Sequence, residues 1–248
     1  MKTDTESILG IHVTRTKTAA CIDDIMAGLA AGRQRVLVCA NPHSLVQARR
    51  DAVFTRALRD ADLVVPDGAG IVVASRMLGG AIRARITGSD VFRELSRRMD
   101  AAGGMRCFFL GSTEANLVRI REKFGREFPR VEIAGTYSPP FKAEFNEADS
   151  RAMITAVNQA RPDVLWVGMT APKQEKWIHQ HRQRLDVKFI AAVGAVFDFY
   201  VGTVKRSPPW FLDHGLEWLP RLIQEPGRLW RRNFVSTPLF LGMILKSW

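Results

Sequence analysis

The sequence predicts an α/β protein built on a mainly parallel sheet with helices on both faces. Two observations predict it. Short apolar blocks alternate with stripes of helical spacing along most of the chain, the pattern of repeated βαβ units. The blocks are continuously apolar rather than alternating, as strands covered on both sides require.

Each element follows from its own residues. Residues 35–40 (RVLVCA) form a short β-branched run, read as a strand. Phe54, Ala57, Leu58 and Ala61 then recur at helical spacing. Residues 63–65 are a second strand. Val91, Phe92, Leu95 and Met99 line a helix face, and 106–110 (RCFFL) is a strand. Leu117, Ile120, Phe124 and Phe128 form the next helical stripe, followed by a strand at 131–134. Phe145, Ala148, Ala152 and Ala156 are helical. Residues 164–169 (VLWVGM) form a strand, 173–184 a helix and 188–193 a strand.

Composition narrows the partners. The 248 residues are 46% apolar and 25% charged, ample for a folded core. Lys and Arg number 36 against 25 Asp and Glu, a net charge of +11. Such an excess favours anionic partners: nucleic acid, acidic lipid or a phosphorylated substrate. Cys21, Cys39 and Cys107 have no CxxC spacing and read as reduced cytoplasmic thiols. The N-terminus lacks an apolar signal core, and no run approaches the ~18 apolar residues of a membrane span. The expected location is the cytoplasmic side, in solution or on a membrane face.

The character changes near Gly202. Residues 203–248 hold four of the six tryptophans and are interrupted by Pro208, Pro209, Pro220, Pro226 and Pro238. The expected organisation is a main α/β domain over 1–202 and a C-terminal appendage over 203–248. In the appendage Leu216, Leu219, Ile223, Trp230 and Phe234 share one helical face; Arg221, Arg228 and Arg232 share another, with Arg231 beside them. Basic residues opposite Trp and Leu describe a segment lying in an anionic membrane interface. A terminal helix docked on the main domain reads the same way.

In an open parallel sheet, ligands bind beyond the carboxyl ends of the strands. The residues there are Asn41-Pro42-His43, Asp67-Gly68-Ala69-Gly70, Gly111-Ser112-Thr113, Gly168-Met169 with Lys173-Gln174-Glu175, and Gly194 with Phe197-Asp198. Small-residue turns entering helices present N–H groups to phosphate, which suits a nucleotide or nucleotide sugar. Gly111, Gly168, Gly194, Phe197 and Asp198 are therefore candidate nucleotide contacts. Asp67 is the sharpest single candidate. It reads either as an ordinary helix N-cap or as a general base at the rim. Arg85, in Arg85-Ile86-Thr87-Gly88, and its neighbour Arg83 offer guanidinium forks for a diphosphate, or else belong to a solvated loop.

Other chemistries are poorly served. Val73 breaks the GxGxxG begun at Gly68, which argues against a nucleotide-dependent oxidoreductase on the same sheet. Asp60-Ala61-Asp62 spells DxD, but it precedes a strand, away from the rim. No HExxH, paired-Cys site or GxSxG elbow occurs. His179 and His181 do not share a helix face. No RNP-like or helix-turn-helix signature supports nucleic-acid binding.

Taken in order, the blocks 41–42, 61–70 (ADLVVPDGAG), 85–90 (RITGSD), 109–111 (FLG), 135–141 (GTYSPPF), 168–175 (GMTAPKQE), 193–198 (VGAVFD), 205–208 (KRSP), 216–218 (LEW) and 221–232 (RLIQEPGRLWRR) resemble the WecG/TagA/CpsF family of bacterial glycosyltransferases. The resemblance covers roughly residues 9–233. It implies a Rossmann-like fold and inverting transfer of a sugar from a UDP-sugar to a polyprenyl-diphosphate-linked sugar. That transfer serves cell-surface polysaccharide synthesis, on the cytoplasmic side of the inner membrane. It implies that Asp67 is the base and that Cys39, Asn41, Arg85, Thr87, Gly88 and Gln174 belong to the substrate pocket. Arg221, Arg228 and Arg231 match appendage arginines that face the diphosphate, and the appendage helps close the site. Cys39 and Ser207 depart from the family, where Thr and Ala are usual. With no well-placed DxD, the leaving UDP is expected to be met by arginines and helix N-termini, without a metal or other cofactor. The sugar transferred, N-acetylmannosamine, glucose or a relative, is left open.

Overall fold

The computed structural model describes residues 4–204 and 230–247, except the side chains of 231–233. Arg221 and Arg228 lie outside the described residues, as do Ser207 and most of the predicted appendage.

Six parallel strands form the main sheet: β3 (Arg35–Ala40), β4 (Leu63–Pro66), β5 (Arg106–Gly111), β6 (Glu132–Tyr137), β7 (Val164–Gly168) and β8 (Phe189–Ala192). Their order is β4-β3-β8-β7-β5-β6. Every predicted strand is present, so the α/β parallel-sheet expectation holds. Strand residues alternate between two cores because successive side chains face opposite ways. Val36, Val38, Leu110, Val167 and Ile190 enter one core. Leu37, Phe109, Trp166, Phe189 and Ala191 enter the other.

The first core is covered by α2 (Pro42–Ala48), α3 (Ala52–Arg59), α4 (Ala69–Met77), α7 (Glu147–Ala160) and α8 (Lys173–His181). The second is covered by α1 (Thr18–Ala30), α5 (Gly88–Ala102), α6 (Glu114–Glu127) and α9 (Val196–Val201). Its centre is aromatic: Phe92 lies edge-on to Trp166 at 4.9 Å, and Phe109 to Phe124 at 5.2 Å. Such tilted pairs suit the ring quadrupoles.

Three details were not legible in the sequence. An antiparallel hairpin, β1 (Thr5–Ile8) and β2 (Ile11–Thr14), precedes the sheet. Its two-residue turn puts both Leu9 and Gly10 at positive φ, the geometry of a tight hairpin. The predicted helix over 173–184 ends at His181 and tightens into a 3₁₀ turn over Arg182–Arg184. The C-terminal helix (Thr237–Lys246) follows a wider helical turn over Arg231–Ser236. It buries Phe240 and Ile244 completely in the first core.

Strand register aligns the exits. Ala40 pairs with Pro66, Gly111 with Gly168, and Val167 with Ala192. The residues that follow therefore emerge along one carboxyl edge. The chain leaves β5 towards β6 but leaves β7 in the opposite direction, towards β8. That reversal opens a crevice, as it does in other open α/β sheets.

Candidate active site

A cleft of about 1110 Å³ lies along this edge. Asp67, Cys39, Asn41, Arg85, Thr87, Gly88, Gln174, Gly168, Gly194 and Asp198 all line it. Gly111 and Phe197, expected as nucleotide contacts, are buried and are not among its lining residues.

Asp67 follows β4, with its N–H bonded to the Ala40 carbonyl at 2.8 Å. It is half-buried and is not the helix cap: Gly68, at φ +100°, is the N-cap of α4. That φ disfavours any residue with a Cβ. Gly70 is small for another reason. A Cβ there would lie 2.4 Å from Pro42 Cγ, so the starts of α2 and α4 touch. Asn41 caps α2, accepting from Ser44 N at 3.0 Å while Ser44 Oγ accepts from Asn41 N at 2.8 Å. Thr87 caps α5, and its hydroxyl donates to Asp90 Oδ2 at 2.7 Å. Asn41 and Thr87 thus fix helix starts at the cleft floor, each by a capping box.

Cys39 sits among the carboxylates. Burial, and then the charges of Asp67, Glu175 and Asp90, hold its thiol well above the usual cysteine range. It stays protonated and unreactive. A Cβ on Gly88 would approach Val193 O at 3.3 Å and Cys39 Sγ at 3.5 Å, so β3, α5 and the exit of β8 are closely packed.

The far wall is built by the strand-exit Gly168, backed by Gly111, and by two polar relays. Gly111, at φ +117°, lies against Gly168, and Ser112 N donates to Gly168 O at 3.1 Å. Gly168 in turn lies flat on the Phe197 ring. Asn116 Nδ2 donates to Asp198 Oδ1 at 2.8 Å and to Ser112 Oγ at 3.1 Å, holding the Asp198 carboxylate at the cleft. Gln174 is 3% exposed, and its Oε1 accepts from Met169 N and Gly194 N, both at 3.1 Å. Its Nε2 donates to Glu175 Oε1 at 2.8 Å.

Sequence reasoning did not reach Asn116, and it placed Glu175 after β7 without giving it a role. Both are polar residues on buried helix faces, and that misplacement was the available signal. Two cationic features also reach the rim. Arg85 is half-buried there. Lys173 lies 4.7 Å from the Phe145 ring, its pKa lowered by desolvation. Phe141 stands fully exposed beside it. Phe234 and Thr237 line the same cleft, bringing the C-terminal segment to the site. The carboxylates of the DxD lie elsewhere: Asp62 Oδ2 accepts from Val36 N and Arg182, at the amino edge of the sheet.

Burial raises Glu175 to about 7 from 4.5. The folded state therefore holds a proton that the unfolded state has released between those values. The resulting stability is fully present below pH 4.5 and is lost as pH rises through 7. The shift corresponds to about 3 kcal/mol. Glu175→Gln, neutral throughout, should gain about that much over the wild type between pH 5 and 8 in urea titrations. Parallel stability curves for the two proteins would contradict it.

The arrangement offers a carboxylate, two cationic side chains and several N–H-bearing turns around one cleft. That set can take a proton from a hydroxyl and hold a diphosphate.

Comparison with known proteins bears on the chemistry. The sequence model of the Glycosyl transferase WecG/TagA/CpsF family matches residues 6–248. A Bacillus spizizenii protein is 33% identical over 210 residues, covering 85% of this chain and 78% of its own. A Bacillus subtilis protein is 32% identical over 212 residues, covering 86% and 79%. A Staphylococcus aureus protein is 24% identical over 242 residues, covering 97% and 92%. Each is an N-acetylglucosaminyldiphosphoundecaprenol N-acetyl-β-D-mannosaminyltransferase.

Proposed function

The chain belongs to the WecG/TagA/CpsF glycosyltransferase family, and on that premise we propose that it moves N-acetylmannosamine, or a closely related sugar, from a UDP-sugar to a polyprenyl-diphosphate-linked sugar, with inversion and without a metal. The reaction takes place at the cytoplasmic face of the bacterial inner membrane, in cell-surface polysaccharide synthesis.

The observation that carries this reading is the place of Asp67: a half-buried carboxylate in the cleft, immediately after the edge strand β4 and next to the start of α4. Direct displacement at an anomeric carbon needs a base for the acceptor hydroxyl, and Asp67 supplies one. The departing UDP gains negative charge. Arg85, Lys173 and the N–H groups of the strand exits, all at the cleft, are assigned to meet it. Asp198, steadied by Asn116 at the cleft, is assigned to a nucleoside edge. Arg221, Arg228 and Arg231 are assigned to the lipid-linked diphosphate.

The membrane placement rests on three features. The relatives act on a diphosphoundecaprenol-linked sugar. The chain carries a net +11. Trp230, Phe234, Val235, Leu239 and Leu245 are exposed on the C-terminal segment while Phe240 and Ile244 anchor it. Among the described residues no helix is long and apolar enough to cross a membrane. Contact at the interface suits such a segment.

The test is a panel of UDP-sugars with synthetic polyprenyl-diphosphate-linked N-acetylglucosamine, scored for UDP release, product mass and anomeric configuration. UDP release with N-acetylmannosamine transfer, a β linkage and full activity in excess EDTA are expected. Absence of transfer from every donor would overturn the reading. Loss in EDTA restored by magnesium would overturn its metal independence.

A further inference from the structure

We infer that Glu175 is a positioning residue of this cleft: its buried carboxyl holds the Gln174 side-chain amide in the one orientation that ties the exits of β7 and β8 into a single wall. The inference rests on the transferase reading only for what that wall binds.

Gln174 and Glu175 are neighbours at the start of α8, and each is 3% exposed. Gln174 Oε1 accepts two backbone N–H groups, from Met169 just beyond β7 and from Gly194 just beyond β8. Those two residues belong to different strand exits, and in the described structure one oxygen joins them. An amide that spends its oxygen this way leaves its NH₂ pointing the opposite way, into the protein. A buried donor needs an acceptor, and Glu175 Oε1 is that acceptor at 2.8 Å. Remove it, and the amide gains by turning its NH₂ towards the water of the cleft. Turning would place donors against the Met169 and Gly194 N–H groups and release both loops.

Other roles fit Glu175 less well. Among the described residues no cation pairs with it, and its Oε2 has no hydrogen-bond partner. A carboxyl kept for an ion pair would have one. Around it lie Cys39 on the cleft side, whose thiol feels its charge, and Asp60, His179 and Arg182 around a small cavity behind it. Of these, Arg182 is paired with Asp62 and His179 lies against Asp60, so neither is spent on Glu175. What the carboxyl does make is one hydrogen bond to Gln174. Partners that orient metal ligands in this way typically matter about 10- to 100-fold, and an effect on that scale is expected for Glu175.

The experiment measures hydrogen exchange at the Met169 and Gly194 amides by NMR, together with UDP affinity and KM and kcat for the UDP-sugar. The variants are Glu175→Met, Glu175→Gln, Gln174→Met and the double Gln174→Met/Glu175→Met. Glu175→Met should exchange at both amides at least tenfold faster and bind UDP roughly tenfold more weakly, with KM rising more than kcat falls. Glu175→Gln keeps an acceptor oxygen and should stay within about threefold of wild type. The double variant should be no worse than Gln174→Met alone, because Glu175 acts through Gln174. Wild-type exchange in Glu175→Met, additive losses in the double variant, or a Glu175→Gln protein as impaired as Glu175→Met would each overturn the inference. Should Glu175→Met not fold, Glu175→Asp draws the acceptor back by one methylene while keeping the acid. Accelerated exchange is then expected, and unchanged exchange refutes the idea. The exchange readout needs no catalysis. A wild type inert towards every UDP-sugar but showing these exchange changes would sink the transferase reading alone.

Discussion

Asp67→Asn should lower turnover by about 10²–10⁴ while leaving UDP affinity nearly unchanged. In barrier terms the loss is about 3–5 kcal/mol. Asn has the same shape and keeps a polar head at the rim, so the cleft should survive the change. The backbone bond from Asp67 N to Ala40 O and the turn at Gly68 do not depend on the side chain. What disappears is the ability to accept the acceptor's proton. The check is steady-state kinetics on the lipid-linked acceptor beside calorimetric titration with UDP. Turnover at the wild-type level would remove Asp67 from the mechanism. A parallel loss of UDP binding would mean that it holds the donor instead.

Gly111→Ala should destabilise the fold by about 2–6 kcal/mol, combining backbone strain with overpacking. At φ +117° an L-residue is strained, and a Cβ would stand 2.4 Å from Gly168 O and 2.7 Å from Gly168 C. Neither neighbour can yield. Gly168 is in the central strand β7, and the Phe197 ring packs on its other side. A drop in melting temperature of roughly 5–20 °C is expected. Gly104→Ala is the control. Gly104 also has positive φ, +73°, but nothing lies within 4 Å of its added Cβ, so only the strain should register. Equal losses at the two sites would show that the close approach of the β5 and β7 exits does not matter. The same substitution should weaken UDP binding if these turns hold the diphosphate, measured on whatever folded fraction survives at low temperature.

The strands were legible because each is a compact apolar run, and the runs at 35–40 and 106–110 match β3 and β5 to within a residue. Helices α3, α5 and α6 showed themselves through one-sided stripes for the same reason. The N-terminal hairpin escaped because four-residue strands carry little periodicity and the turn signal was a single glycine. The stripe at 216–234 had two equivalent readings from composition and lies mostly outside the described residues; the C-terminal helix that follows it is described. Burial of Phe240 and Ile244, and a 2.7 Å contact between His43 Nδ1 and Ser236 Oγ, decide that it docks. Its exposed apolar residues keep the other face available.

Within the site, the sequence by itself determined which residues stand at the strand exits, since a parallel sheet places everything just past a strand on one edge. Asp67, Asn41, Gly168 and Gly194 follow from that rule alone. Only the tertiary structure decided what each does there. Gln174 reads as a pocket residue but spends its oxygen on Met169 and Gly194, Thr87 gives its hydroxyl to Asp90, and Asp198 is held by Asn116 from 82 positions away. A strand's apolar run is a local property of the chain. A hydrogen-bond partner is chosen by which segments the sheet order brings together, and that order is set by packing over the whole domain.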